Sequence, residues 1–389
     1  MKKNLLIGLA ALAAVTITSC QKDQVINQVP QEQAIEFGTY VGRDAQTKGS
    51  VTDITTLCGE ASGTEGFGVF AYYTGTSDFT ATSTPNFMYN QRVYGTEPVA
   101  PASEYTWSYS PIKYWPNNEG DKVSFFAYAP HITAANANYN ITALPANITQ
   151  GDPKLTFVMD PTISTQVDLV YADPTSLKNQ TKPVTGTKTT FNFKHALSRI
   201  SFSSVALVDQ IASEETGEDD DGANGSTGIA DGTTITIKSI TLNGDFYKKG
   251  ILNLADGTWA KYETPSSYEI NTIETNEVTE TKANNITGYM MIIPDDFGTD
   301  QNDNQIYRSL SITVVYDVET EDQALDGGKS TITNTITSSD FDINFQQGKA
   351  YDFVLHIGME TVQFEATVSP WDETNSDIAV NVPINTPQP

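Results

Sequence analysis

The chain has 389 residues, is 38% hydrophobic and 10% aromatic, and carries a formal charge of −26. It is long enough for about two domains with real cores, and so acidic a surface repels phosphate backbones, which argues against nucleic acid as a partner. Its cysteines are two, Cys20 and Cys58, too few for a disulfide scaffold or a thiolate metal site.

Lys2 and Lys3 precede a short apolar run, Leu5–Val15, too short to span a bilayer as a mature helix. The run ends in Ile17-Thr18-Ser19-Cys20, which resembles a bacterial lipobox: small residues ahead of a cysteine that takes lipid, palmitate included, and becomes the new N-terminus. Residues 1–20 therefore read as a lipoprotein signal peptide that takes the chain out of the cytoplasm. With Cys20 lipidated, Cys58 has no disulfide partner and reads as a small apolar residue.

Residues 21–48 read as a propeptide. Its first part, 21–33, is polar and Gln-rich, a tether. Ile35, Phe37, Thr39 and Val41 then alternate with Glu36, Gly38 and Tyr40, the period of a half-buried strand. Immediately after come two basic residues, Arg43 and Lys48, in a polar stretch. A strand joined to the body by a protease-sensitive linker is most useful if it is removed.

Beyond residue 50 no segment sustains a helical period. Short alternating runs rich in Thr, Val, Ile, Tyr and Phe are separated by Gly, Asn, Asp and Pro clusters, the pattern of an all-β sandwich or barrel. Expected strands in the first half are 35–41, 67–73, 87–94, 105–109, 123–128, 155–159 and 169–171. Trp107, Tyr114 and Trp115 flank turns set by Pro111, Pro116 and residues 117–120, and read as apolar plugs at one end of a sandwich. The polar segment 173–189, with Pro174 and Pro183, marks the domain boundary.

The second half restarts at 191–204, with a brief helical turn at His195-Ala196-Leu197. The acidic loop 214–222 has oxygen ligands that suit calcium but lacks an EF-hand's spacing, and reads as solvated. Further strands are expected at 234–242, 250–255, 258–262, 288–293, 310–318, 350–357 and 362–368, with hairpin turns at Asn243-Gly244 and Asp256-Gly257. At about seven strands per half, this predicts two consecutive β-sandwich domains, 49–182 and 183–389. After a stop at Ser369–Glu373 comes a separate terminal strand, 377–384, in which Ile378, Val380, Val382 and Ile384 alternate with Asp377, Ala379, Asn381 and Pro383. An apolar stripe at a terminus needs a groove to bury it, in its own domain or in another molecule.

Chemistry-bearing patterns are weak. His131, His195 and His356 have no paired metal spacing, and no nucleophile elbow, P-loop or dinucleotide fingerprint is present. No catalytic residue, metal site or cofactor is expected, and the chain reads as a non-enzyme.

The runs GFGVFAYY (66–73), WSYSPIKYWP (107–116), KVSFFAYAP (122–130), FKHALSRISF (193–202), KAYDFVLHI (349–357) and TVSPW (367–371), with the lipobox and the strand before Arg43, resemble the fimbrillin family, subunits of type V pili on Gram-negative bacteria. The resemblance covers nearly the whole chain. It implies transthyretin-like, Greek-key sandwiches and a lipoprotein anchored in the outer membrane through Cys20. It further implies cutting by a trypsin-like surface protease after Arg43, or alternatively Lys48, and loss of the first strand. A strand donated by another fimbrial subunit would fill the vacated groove, building an extracellular fimbrium that serves adhesion. The 377–384 strand is the candidate donor; if it pairs internally, a tip or accessory subunit is implied. The rival reading is a monomeric surface lipoprotein that binds glycan or host protein through exposed aromatics such as Tyr72, Tyr73 or Trp115.

Overall fold

The computed structural model describes residues 32–41, 57–59, 66–100, 104–132, 141–144, 150–207, 232–294, 308–359, 361–371 and 378–380. Among these residues the regular structure is nearly all strand. The first half holds β1 (Phe37–Val41), β2 (Phe67–Gly75), β3 (Met88–Thr96), β4 (Thr106–Ser108), β5 (Lys122–Ala129), β6 (Ile141–Leu144), β7 (Lys154–Val158) and β8 (Val170–Ala172). Then follow β9 (Thr189–His195), β10 (Ser198–Ala206), β11 (Thr233–Asn253), β12 (Thr258–Ile270), β13 (Glu277–Val278) and β14 (Met290–Ile292). The chain ends with β15 (Arg308–Glu321), β16 (Lys329–Thr337), β17 (Phe341–Ile343), β18 (Lys349–Ile357), β19 (Val362–Pro370) and β20 (Ile378–Val380).

They form three sheets. The first runs β1-β9-β8-β5-β2-β3-β4, the second β14-β10-β18-β19-β20, and the third β16-β15-β11-β7-β6, with β12 and β13 also on β11 and β17 on β15. Two cores lie between and beside them. Phe67, Val69 and Ala71 of β2, with Val123, Phe125 and Ala127 of β5, belong to the smaller core, which also holds Ile35 and Phe37. The alternate residues Phe70, Tyr72, Phe126 and Tyr128 belong to the larger core, with residues of β7, β10, β11, β15 and β18. The β2–β5 pair is thus buried on both faces, which is why its sequence is continuously apolar rather than alternating.

The expected domain boundary does not divide the sheets. Strand β9, beyond residue 183, completes the first sheet, and β6 and β7, before it, pair into the third, Lys154–Val158 lying antiparallel to Lys249–Asn253. The segment 173–189 is not a linker either. Asp173 caps a helical turn at Pro174–Ser176, Leu177 is buried, and Gln180 and Val123 exchange backbone hydrogen bonds of 2.9 and 2.8 Å. Its prolines set an anchored crossing that returns the chain to the same sheet.

Two local expectations are also corrected. Residues 196–197 are not helical but a kink between β9 and β10, pinned by Ala196 N–H donating to Leu169 O at 2.8 Å and Leu197 O accepting from Gly348 N–H at 2.9 Å. Asn243-Gly244 is not a hairpin turn, for β11 runs through it. Asn243 Nδ2 donates to Thr313 Oγ1 at 3.0 Å, and Gly244, at φ +149°, meets Leu310 where a Cβ would stand 2.3 Å from Leu310 Cδ2. The glycine serves a close approach, and the pairing with β12 shifts register there. Asp256-Gly257 does turn the chain, setting Asn253 opposite Thr258.

Candidate functional site

The first strand is seated at one end of the first sheet, and the seat is the site of interest. Strand β1 pairs parallel to β9, Phe37 opposite Thr189 through Val41 opposite Phe193, and Thr189 N–H donates to Glu36 O at 2.8 Å. Just upstream the other edge is held as well. Ala34 bridges Tyr114 antiparallel, Ile35 N–H donates to Lys113 O and Trp115 N–H to Gln33 O, each at 2.9 Å. The segment 33–41 therefore passes from one set of partners to another, filling a slot between β9 and the loop after β4.

The slot is aromatic. Phe37 is 3% exposed, and its ring lies 5.0 Å from Tyr109, 5.2 Å from Phe191 and 6.0 Å from Phe125, centroid to centroid. Ile35 is buried beside it. Tyr109 Oη donates to Ile35 O at 2.9 Å, and burial pushes the Tyr109 phenol upward in pKa, so it stays a neutral donor. Thr39 is half-buried and its Oγ1 has no hydrogen-bond partner. Tyr40 and Glu36 are exposed on the opposite side. The alternation of the sequence is thus realised in Ile35 and Phe37, and more loosely in Thr39. For Val41 the backbone pairing with Phe193 is described.

Cys20, Arg43, Lys48 and the acidic loop 214–222 lie outside the described residues, as do Val382 and Ile384. Of the terminal strand, Ile378–Val380 is described as β20; its backbone pairs antiparallel to β19, Ile378 opposite Val368 and Val380 opposite Ala366. Sequence reasoning did not assign the Lys113–Trp115 segment to the seat. The available signal was the density of rings and prolines in 107–116, read there as a plug.

The aromatic surface expected of a ligand platform is not formed by the residues named for it. Tyr72 and Trp115 are buried, Tyr72 because β2 is covered on both faces and Trp115 because it packs edge-on against Phe125 at 5.7 Å. Tyr73 donates its hydroxyl to Asp121 Oδ2 at 2.8 Å. Cys58 is buried, with its thiol pKa raised by burial and by Glu97, and it packs where Gly95 leaves room. His195 Nδ1 lies 2.9 Å from the buried Asp168 carboxylate, and its ring stacks on Trp371 at 4.2 Å and 3°. Among the described residues no group of three or more His, Cys, Asp or Glu could hold a metal ion, and no helix is long and apolar enough to cross a membrane.

Comparison with known proteins matches this architecture. The fold is similar to that of a fimbrial protein from Bacteroides vulgatus, with a TM-score of 0.62 at 20% identity over 88% of this chain and 100% of that one. A structure from Bacteroides uniformis named as a candidate cell adhesion protein is similar at a TM-score of 0.43 and 17% identity, over 87% and 99% of the two chains. No curated protein matches the sequence. The family model described as fimbrillin-like matches residues 59–371, most of the chain, and the protein belongs to the fimbrillin-like family.

Proposed function

We propose that the chain is a structural, non-catalytic fimbrial subunit that assembles by strand replacement. It is exported as a lipoprotein, held at the outer membrane through Cys20, and cut by a trypsin-like surface protease after Arg43 or, alternatively, Lys48. Segment 33–41 then leaves, and a strand from another subunit takes its slot, extending an extracellular fimbrium that serves adhesion. The observation that carries this reading is the seat of β1: an aromatic slot holding a terminal strand by backbone bonds on both sides, two residues before a basic one. Burial of Ile35 and Phe37 contributes roughly 1.5–3 kcal/mol each. Emptying the slot would bare apolar rings and unpaired backbone, both costly in water, and an incoming extended strand repairs both.

Which end of the chain this subunit offers to others is the second question. Residues Ile378, Val380, Val382 and Ile384 have the alternation a donor needs. The pairing of Ile378–Val380 with β19 of the same chain favours a tip or accessory subunit, which accepts a strand and keeps its own.

The test is trypsin treatment of the purified precursor, followed by N-terminal sequencing and sizing. Cutting after Arg43 or Lys48 with growth of strand-linked oligomers is expected. Resistance at both residues, or a cut chain that neither grows nor takes up an added peptide of residues 377–389 into its vacated slot, refutes assembly by this route. Deleting residues 377–389 tests the donor: lost growth marks 377–384 as the donated strand, and unaffected growth removes that assignment.

A further inference from the structure

The outer edge of the third sheet carries a feature that strand replacement at β1 does not use. Strand β16 ends that sheet and, among the described residues, pairs along one side alone, with β15. Natural edges are blunted by prolines, bulges or charges. Here nine residues of strand carry neither proline nor a charge after Lys329, and Ile332 is 61% exposed.

The sequence of this edge reads the same in both directions. Ser330-Thr331-Ile332-Thr333-Asn334-Thr335-Ile336-Thr337-Ser338 is a nine-residue palindrome centred on Asn334. An interface about a two-fold axis requires that residue i meet residue j and j meet i. A palindromic strand laid antiparallel on a copy of itself meets that condition with like chemistry at every rung.

We propose that β16 is a self-complementary edge through which two copies of this chain pair antiparallel about an axis at Asn334. Ile332 of each copy lies opposite Ile336 of the other, Thr333 opposite Thr335, and Asn334 opposite Asn334. The isoleucines are on the face of β15 that carries Val318 and Val314, both buried, so the pairs extend the apolar underside of the sheet and cover Ile332. The threonines extend an outer face already laced by hydroxyls: Thr333 Oγ1 donates to Asp317 Oδ1 at 2.6 Å, and Thr313 Oγ1 lies 2.9 Å from Thr337 Oγ1. The register sets no like charges opposite each other, Lys329 of one copy facing Ser339 of the other. A partner other than a second copy has no need of palindromic order.

Seven paired rungs span about 23 Å, a small seam, so the dimer is of the weak, transient class. The −26 charge of each chain repels the other over long range, and salt screens this. Association therefore strengthens with added salt.

The experiment uses the uncleaved full chain. Sedimentation at concentrations on the order of 100 µM, the range of weak interfaces, is expected to show a dimer that grows with salt and stops at two. Ile332→Lys, at an exposed position, is expected to abolish it. Independently, in a Cys20→Ser background, a cysteine at the axis can meet itself. Paired rungs alternate between wide and narrow spacing, so either Asn334→Cys or the double variant Thr333→Cys/Thr335→Cys has disulfide geometry. One of these is expected to cross-link at least tenfold faster than Thr333→Cys alone. A wild type that stays monomeric in high salt, an Ile332→Lys variant that associates unchanged, or cross-linking of the single Thr333→Cys variant as fast as the others would overturn the proposal.

Discussion

Phe37 is packed on three rings at one end of a sheet, and Tyr40, three residues on, stands 57% exposed. That contrast makes a direct test of what seats the first strand. Phe37→Ala removes a buried ring and leaves a cavity, at a cost of about 3–5 kcal/mol, while Tyr40→Ala should stay within about 0.5 kcal/mol of the parent. Urea denaturation of the uncleaved protein measures both, and equal effects would refute the one-sided seat. Asp173 offers a second test in the same sheet. Its carboxyl is held down at about 2 by hydrogen bonds from Lys194 and Thr175. A carboxyl depressed on folding adds stability that is complete above its ordinary pKa near 3.8 and is lost as pH falls through about 2. Both side chains are partly solvated, Lys194 at 56% exposure, so the pair is worth a few tenths to about 1 kcal/mol. Asp173→Asn should lower the melting temperature slightly at neutral pH and converge with the parent below pH of about 2; a difference that persists in acid would point to packing instead of charge.

Strands are the scale at which the sequence was most readable, because alternation is a direct image of one buried face. It located the register of Ile35 and Phe37 and most of the strands of both halves, β19 starting at Val362 as expected. It failed where a second influence acted on the same residues. Asn-Gly is a turn signal when nothing else claims it, but at Asn243-Gly244 the side chain of Asn243 is bonded across to β15 and the glycine admits Leu310. The signal for close approach and the signal for a hairpin are the same residue. Strand β16 was missed because its inner face offers just two apolar residues, Ile332 and Ile336, in a run otherwise of Lys, Thr, Ser and Asn, leaving little hydrophobic contrast. The slot of β1 was half legible: the strand announced itself, but its Lys113–Trp115 partners are joined by bonds across 70 or more residues that no local pattern encodes. Gly244→Ala tests the corrected element. It meets both a positive φ and a buried leucine and should cost roughly 2–4 kcal/mol. Gly75→Ala, at φ +59° with open space around it, bears the backbone strain alone, about 1–2 kcal/mol. Chemical denaturation of the two variants compares them, and an equal loss would mean that the Leu310 contact relaxes freely.

Across the whole molecule, the sheets are not independent units. The β2–β5 pair gives one face to each core, β7 leaves the first half to pair with β11 and brings β6 along its other edge, and Trp371 at the end of β19 stacks on His195 at the end of β9. The backbone N–H of Trp371 donates to Gly348 O at 3.1 Å, and the Arg199 guanidinium lies 5.3 Å from its ring centre, so strands far apart in sequence converge on this one residue. Unfolding the second half alone would strip Phe70, Tyr72, Phe126 and Tyr128 of their cover while leaving them in the sheet. Four such rings exposed together cost roughly 1.5–3 kcal/mol each, enough to couple the halves in a protein whose total stability is about 5–15 kcal/mol. Calorimetry of the uncleaved chain should therefore show one transition, with calorimetric and van't Hoff enthalpies in agreement. A fragment ending at residue 182 lacks β9 and all of the third sheet but β6 and β7, and should not fold alone. Two resolved transitions, or a folded 1–182 fragment with dispersed amide spectra, would restore the two-domain division that the polar segment 173–189 implied, and would make the first sheet's slot a property of that half alone.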